Sequence, residues 1–325
     1  MHTTTFAACC FSILLSSPGA GNPTCGAHHP AVRDVRLTFR GWTNAYRLAN
    51  DTVELIAVPQ IGGRIMHYSF LGGQNVVREV PSLWGVIEPL RPDWQYVNYG
   101  GCKLWAAPQC AFPNRWPPNA YWENGRCTAA MNSPLCLQLV GPRDPAALLQ
   151  FTRTVTLAPS GSLVRLDHRM ENLSSATLTR SIWAVNQQPR PSLLLAPRPP
   201  SPHRVWGTNL HLWLHTDDVY YTEIQTNLAS KLFVLTERPW CAGLHNRLLW
   251  IVWGEPPTQL SYPQGEAPVE IYCEASYAEL EILSPAFTLA PGQAGTYTMF
   301  WSLTKTPDNS LAAALAALRA HGFLP

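Results

Sequence analysis

Glu279 and Glu281 stand two residues apart in the run Tyr277-Ala278-Glu279-Leu280-Glu281-Ile282-Leu283. On a strand that spacing puts both carboxylates on one face, where repulsion and burial raise the pKa of at least one. Such a group suits a general base or acid, whereas on a solvated face the same pair would be ordinary surface charge. Arg64 follows Gly62-Gly63 and opens a strand, so its guanidinium is aimed at the end of a sheet, toward a ligand or toward a neighbouring carboxylate. Lys103, between Gly101 and Trp105, puts a cation where it can lie against an aromatic surface.

Lys103 belongs to the stretch Asn98 to Trp122, which mixes Tyr99, Trp105, Phe112, Trp116, Tyr121 and Trp122 with Gly100, Gly101, Pro108, Pro113, Pro117 and Pro118. Neither a helix nor a plain strand tolerates that mixture, so the stretch is expected to be an ordered loop with aromatic walls. Trp105, Gln109 and Trp122 from this loop, with Trp183 and Gln187 from a later strand, supply flat apolar faces beside hydrogen-bonding groups. That combination suits the CH-rich faces and hydroxyl edges of a sugar, and it would equally serve to cap the end of a β core. His203, His211 and His215 follow no zinc spacing, so no metal is assigned, and no cofactor is expected. His168 shares its side of a strand with Val164, Leu166 and Met170 and reads as a core histidine.

The elements that must hold these residues are β-strands. The chain has 325 residues, 30 prolines and 13 tryptophans, with short β-branched and aromatic runs between turn residues, which points to antiparallel structure. Charged residues are 14% and the net charge is +2, so no basic stripe is available for nucleic acid. Strands are expected over 35–39, 52–58 and 61–68, the last two joined by the turn at Pro59 to Gly63. A long hairpin spans 148–157 and 163–172 around Pro159 to Ser162, and further strands cover 177–186, 219–224, 231–236, 247–253, 269–272, 277–283 and 296–303. Pro189 to Pro202 reads as a surface crossing within one domain. A single helix closes the chain, capped by Asn309 or Ser310, striped by Leu311, Leu315 and Leu318, and ended near Gly322.

Residues 1–30 read either as a secretory leader, with the apolar run Phe6 to Leu15 but no preceding Lys or Arg, or as a disordered extension. The first makes the protein secreted or periplasmic, the second cytoplasmic, and no stretch is long enough to span a bilayer. Residues 31–325 are expected to form one domain. Among nine cysteines, Cys102, Cys110, Cys127 and Cys136 lie close enough for disulfides in an oxidising compartment, with free buried thiols the preferred alternative.

Taken in order along the chain, Gly41-Trp42, Gly62-Gly63-Arg64-Ile65, Gly100-Gly101-Cys102-Lys103-Leu104-Trp105 with Pro108, Glu279-Leu280-Glu281 with Pro285, and Pro291-Gly292 resemble the galactose mutarotase-like (aldose 1-epimerase-like) superfamily, in particular a bacterial branch of it. The likeness spans about residues 33–305. It implies an all-β supersandwich of large antiparallel sheets with a sugar cleft on a concave face. Glu281 looks like the family's late general base, and Arg64 and the Gly-Gly and Trp105 segment resemble residues near the sugar. The family's acid is a histidine on the strand entered here by Asn172, but Trp183 to Val185 occupy that place, leaving Lys103, His67 or protonated Glu279 as substitutes.

The sequence therefore points to a carbohydrate ligand, with Glu281, Glu279 and Lys103 as catalytic candidates and Arg64, Trp105, Gln109, Trp122, Trp183 and Gln187 as binding candidates. The rival readings are a polysaccharide lyase or glycoside hydrolase acting on an acidic glycan, and a sugar-binding module without chemistry.

Overall fold

The computed structural model describes residues 35–91, 93–111, 118–200, 203–207, 212–224 and 229–325. The leader or extension expected over residues 1–30 lies outside them, as does His211. Among the described residues the strands form two antiparallel sheets of eleven and ten. The first runs in space Arg36–Phe39, Trp42–Ala49, Val53–Val58, Arg64–Phe70, Cys102–Ala107, Leu178–Pro189, Tyr277–Leu283, Val269–Cys273, Ser230–Val234 and His203–Gly207, with Phe287–Leu289 added on Leu178–Pro189. The second runs Leu214–His215, Val219–Thr222, Leu193–Pro197, Trp240–His245, Leu248–Gly254, Ala294–Lys305, Val164–Asn172, Leu149–Leu157, Cys136–Val140 and Thr128–Ser133. This is the all-β architecture that the alternating runs predict.

The core lies between the sheets. The hairpin of Leu149–Leu157 and Val164–Asn172 shows why: in the second strand Val164, Leu166, His168 and Met170 are buried, while Arg165, Asp167 and Arg169 are half-buried on the other face. Trp250 and Trp301 meet edge to face at 5.2 Å in this layer, with Tyr68 of the first sheet 5.8 Å from Trp301. The helix Leu311–Ala320 begins where Ser310 accepts a hydrogen bond from the Ala313 backbone, and it lays Ala314 and Leu318 on Leu195, Ala242 and Ile251. It thereby covers the outer face of the second sheet.

Two expectations are corrected. The stretch Asn98 to Trp122 is not one loop: Cys102–Ala107 is a fully buried strand, Gln109–Ala111 a 3-10 turn and Ala120–Asn124 a short helix, with 112–117 outside the described residues. Its glycines and prolines punctuate the ends of these pieces, leaving the six residues Cys102 to Ala107 free to pair. Likewise the proline-rich segment is no surface crossing throughout, because Leu193–Pro197 is a buried strand paired on both sides. Here the prolines flank an apolar run, and Pro197 stands at the strand's last position.

Candidate functional site

Strand register gathers most of the chemistry-bearing side chains onto one face of the first sheet. Trp105 is opposite Trp183 and Lys103 opposite Val185. Val185 is in turn opposite Glu281, and Gln187 opposite Glu279. One strand further, Glu281 faces Glu270, and beyond that Lys231 shares the row of Tyr272 and Glu279. Residues opposite each other in a ladder project to the same side. Ile65 is in register with Cys102, so Arg64 falls alongside Lys103 on that side as well. Ile282 lies against Gly254 of the second sheet, which turns its neighbour Glu281 away from the inter-sheet core.

Glu281 is fully buried and its Oε2 accepts from Trp183 Nε1 at 2.6 Å and Lys231 Nζ at 2.9 Å. Its Oε1 has no hydrogen-bond partner among the described residues. Lys231 Nζ also lies 2.6 Å from Glu270 Oε2, so one ammonium serves two buried carboxylates. Burial raises the pKa of Glu281 against the pull of Lys231, with Glu279 adding to the rise, and sets it at about 7. Burial likewise pushes Glu270 well above the carboxylate range. For Lys231 burial favours the neutral amine, yet the two carboxylates outweigh it and hold the ammonium above its ordinary value. Glu281, with its proton affinity raised to about 7 beside a fixed cation, can take up and release a proton near neutrality.

Beside this triad, Glu279 Oε1 accepts from Gln187 Nε2 at 2.7 Å and lies 3.5 Å from Lys103 Nζ. Gln187 is held in turn by Arg78, whose guanidinium stacks 4.3 Å over the ring of Tyr277. Lys103 is 1% exposed, donates to the Tyr96 hydroxyl at 3.0 Å and rests 4.2 Å from the Trp105 ring centre. Burial lowers its pKa, and Glu123 and Glu279 work in the opposite direction. The placement against Trp105 is the one the sequence suggests.

Arg64 is fully buried and pairs with Glu123, while its Nη1 donates to the Gly100 carbonyl at 3.0 Å. Glu123 also accepts from the indole of Trp105, so this acid orients both the arginine and the tryptophan. The Trp105 and Trp183 rings meet edge to face at 5.0 Å. Of the sequence candidates, Arg64, Lys103, Trp105, Trp183, Gln187, Glu279 and Glu281 thus come together. Trp122 does not join them; it packs edge-on against Phe151 of the second sheet at 5.6 Å. Gln109 stands past the strand end, its backbone N–H donating to Glu266 at 3.0 Å. His67 is engaged with Ser69 at 2.8 Å and with Glu54 at 3.7 Å.

Sequence reasoning missed Lys231, Glu270, Glu123 and Tyr96. Lys231 and Glu270 lie on strands whose alternation was legible, but only the pairing of those strands with Tyr277–Leu283 discloses their role. Among the described residues no group of His, Cys, Asp and Glu is arranged to hold a metal. His203 lies tilted against Tyr220 at 4.4 Å and His215 meets the same ring edge to face at 6.3 Å instead. Cys102, Cys110 and Cys127 are free thiols. No helix among the described residues is long and apolar enough to cross a membrane.

Residues 44–205 match the model of a domain of unknown function, DUF4380. Comparison with curated proteins finds no match. Among solved structures, a protein from Synechocystis sp. PCC 6803 superposes with a TM-score of 0.55 at 15% identity, covering 80% of this chain and 96% of that one. A galactose mutarotase related enzyme from Lactobacillus acidophilus gives 0.55 at 10% identity over 82% and 100% of the two chains. A putative aldose 1-epimerase from Escherichia coli K12 gives 0.51 at 13% identity over 81% and 99%. With its two large antiparallel sheets and the strand order above, the chain has the galactose mutarotase-like fold.

Proposed function

We propose that the protein is carbohydrate-active and interconverts the anomers of a neutral aldose on the face around Glu281, with Glu281 as general base. The observation that carries this reading is the carboxylate itself. It is fully buried, fixed through Oε2 by Trp183 and Lys231, free at Oε1, and poised at about 7. A base so poised removes a hydroxyl proton at neutral pH without first being rebuilt. Oε1 takes the proton of the anomeric hydroxyl while a donor protonates the ring oxygen, and the C1–O5 bond opens to the aldehyde; reclosure on the other face of C1 returns both protons.

Lys103 suits the donor role, since burial lowers its pKa and its Nζ is held by Tyr96 and Glu279. It stands two strands from Glu281, with Val185 between, a separation of roughly 10 Å at the backbone. Trp105 and Trp183 supply aromatic faces beside it. The cations Arg64, Arg78, Lys103 and Lys231 stand among the carboxylates Glu123, Glu270, Glu279 and Glu281: Arg64 pairs with Glu123 and Lys231 with Glu270 and Glu281, Lys103 lies near Glu279, and Arg78 donates to Gln187.

The test is exchange NMR on a panel of neutral aldoses. Wild type is expected to speed anomer exchange above the buffer rate, and Glu281→Gln to return it to that rate. Wild-type exchange no faster than buffer across the panel would reject the epimerase reading, and binding that persists in Glu281→Gln without exchange in wild type would favour a binding module.

A further inference from the structure

A second charged place lies on the opposite side of the first sheet, between the two layers. Arg153, on the Leu149–Leu157 strand, is 6% exposed, and no carboxylate among the described residues faces it. Its Nη1 donates to the carbonyls of Cys102 at 3.0 Å and Gly63 at 3.4 Å, and its Nε has no partner. His168, directly opposite in the ladder, is also buried, with neither ring nitrogen bonded. Burial and the charge of Arg153 keep that imidazole neutral.

A buried ion without a counter-ion is costly, and most side chains escape the cost by losing or gaining a proton. A guanidinium does not. Burial lowers the pKa of Arg153 only to about 10, so the charge remains at neutral pH. The nearby groups able to become anions are the thiols of Cys102 and Cys127. Burial pushes Cys127 up to about 12 and Cys102 higher, so both stay neutral. The protein supplies the cation and withholds the anion.

Arg153 lines a cavity of about 30 Å³, bordered also by Gly62, Gly63, Tyr121, Cys127 and Phe151. A water needs roughly 10–15 Å³ of such space, so the cavity has room for a small ion with a water and is too small for a sugar. Part-exposed Tyr121, Cys127 and Pro142 stand at its border and give it a way out. Gly63 is required there, since a Cβ would fall 2.8 Å from Cys127 Sγ.

We propose that this inter-sheet cavity is a site for a small monovalent anion of halide size, held by the unpaired edge of the Arg153 guanidinium. The carbonyls that Arg153 grips belong to Gly63 and Cys102, the residues immediately before Arg64 and Lys103. An anion that fixes Arg153 therefore fixes the two strands where those side chains leave for the other face. The site stands independently of any sugar chemistry.

The experiment has two arms on the full chain. In crystals grown with sodium bromide, anomalous scattering is expected to show a peak within hydrogen-bond reach of Arg153. In thermal unfolding at matched ionic strength, chloride is expected to raise the wild-type Tm over gluconate, an anion too large for the cavity, by a saturable ~3 °C, and Arg153→Gln to abolish that gain. No bromide at Arg153 under saturating bromide, or an equal chloride gain in Arg153→Gln, overturns the proposal. If Arg153→Gln fails to fold, the wild-type bromide map decides alone.

Discussion

The indole N–H of Trp183 donates to Oε2 of Glu281 at 2.6 Å. Trp183 begins the stretch, Trp183 to Val185, that stands about where the family resemblance places an acid, and an indole cannot give up its proton at neutral pH. What it does here is fix one oxygen of the carboxylate and leave the other without a hydrogen-bond partner among the described residues. Under the proposed function the acid comes from elsewhere on the face, and Lys103 is the group assigned to it.

Lys231 is expected to be the most costly single truncation in the site. Lys231→Met leaves Glu270 and Glu281 buried without their shared cation, and we expect a loss of about 3–5 kcal/mol in urea unfolding at pH 8. The loss should shrink at pH 5, where both carboxyls can be protonated. Adding Glu270→Gln to Lys231→Met should recover part of it, since one of the two stranded charges is then gone. Equal losses at both pH values would show that packing, not charge, is responsible.

The pH dependence follows from the raised pKa of Glu281. Its folded value of about 7 lies above the unfolded 4.5, so between those values the folded state binds more protons than the unfolded one. Its contribution to stability is therefore greatest below about 4.5 and falls as pH rises through 7. His67 and His168, whose pKa values burial lowers, act with the opposite sign, so the comparison must be a difference. We expect Glu281→Gln to gain on wild type in urea midpoint between pH 5 and pH 8. A parallel pair of profiles would contradict the assignment.

Gly62 ties the two faces of the sheet together. Its φ is +71°, and a Cβ there would lie 2.5 Å from the Trp122 carbonyl and 2.6 Å from that of Glu123. Gly62→Ala should cost more than about 2 kcal/mol and loosen the Arg64–Glu123 pair. Gly72→Ala, at φ +64° with nothing nearby, carries the backbone strain alone and should cost about 1 kcal/mol. Denaturant unfolding of the two variants separates collision from strain.

The part of this fold legible in the sequence was the part written in local alternation. The Tyr277–Leu283 strand ends where it was placed, and Glu279 and Glu281 share a face because their spacing requires it. The hairpin around Pro159 to Ser162 and the capped C-terminal helix were equally local. Lys231 was invisible as a site residue because its strand, Ser230–Val234, alternates like any half-buried strand. Its role appears only when two ladders bring it across to Glu281. Glu123 was hidden for another reason: it sits on a five-residue helix that begins inside the segment whose prolines read as loop and runs past its end at Trp122. The Cys102–Ala107 strand was lost to the same punctuation, although its buried neighbours on both sides hold it in the sheet.

The proposed function puts a neutral sugar on the Glu281 face, and a crystal of the protein soaked with an aldose will show where the sugar binds. Electron density for the ring is expected beside Trp105 and Trp183, with a hydroxyl within hydrogen-bond reach of Glu281 Oε1. Sugar bound elsewhere, with Glu281 still sealed among Trp183, Lys231 and Glu270, would contradict it.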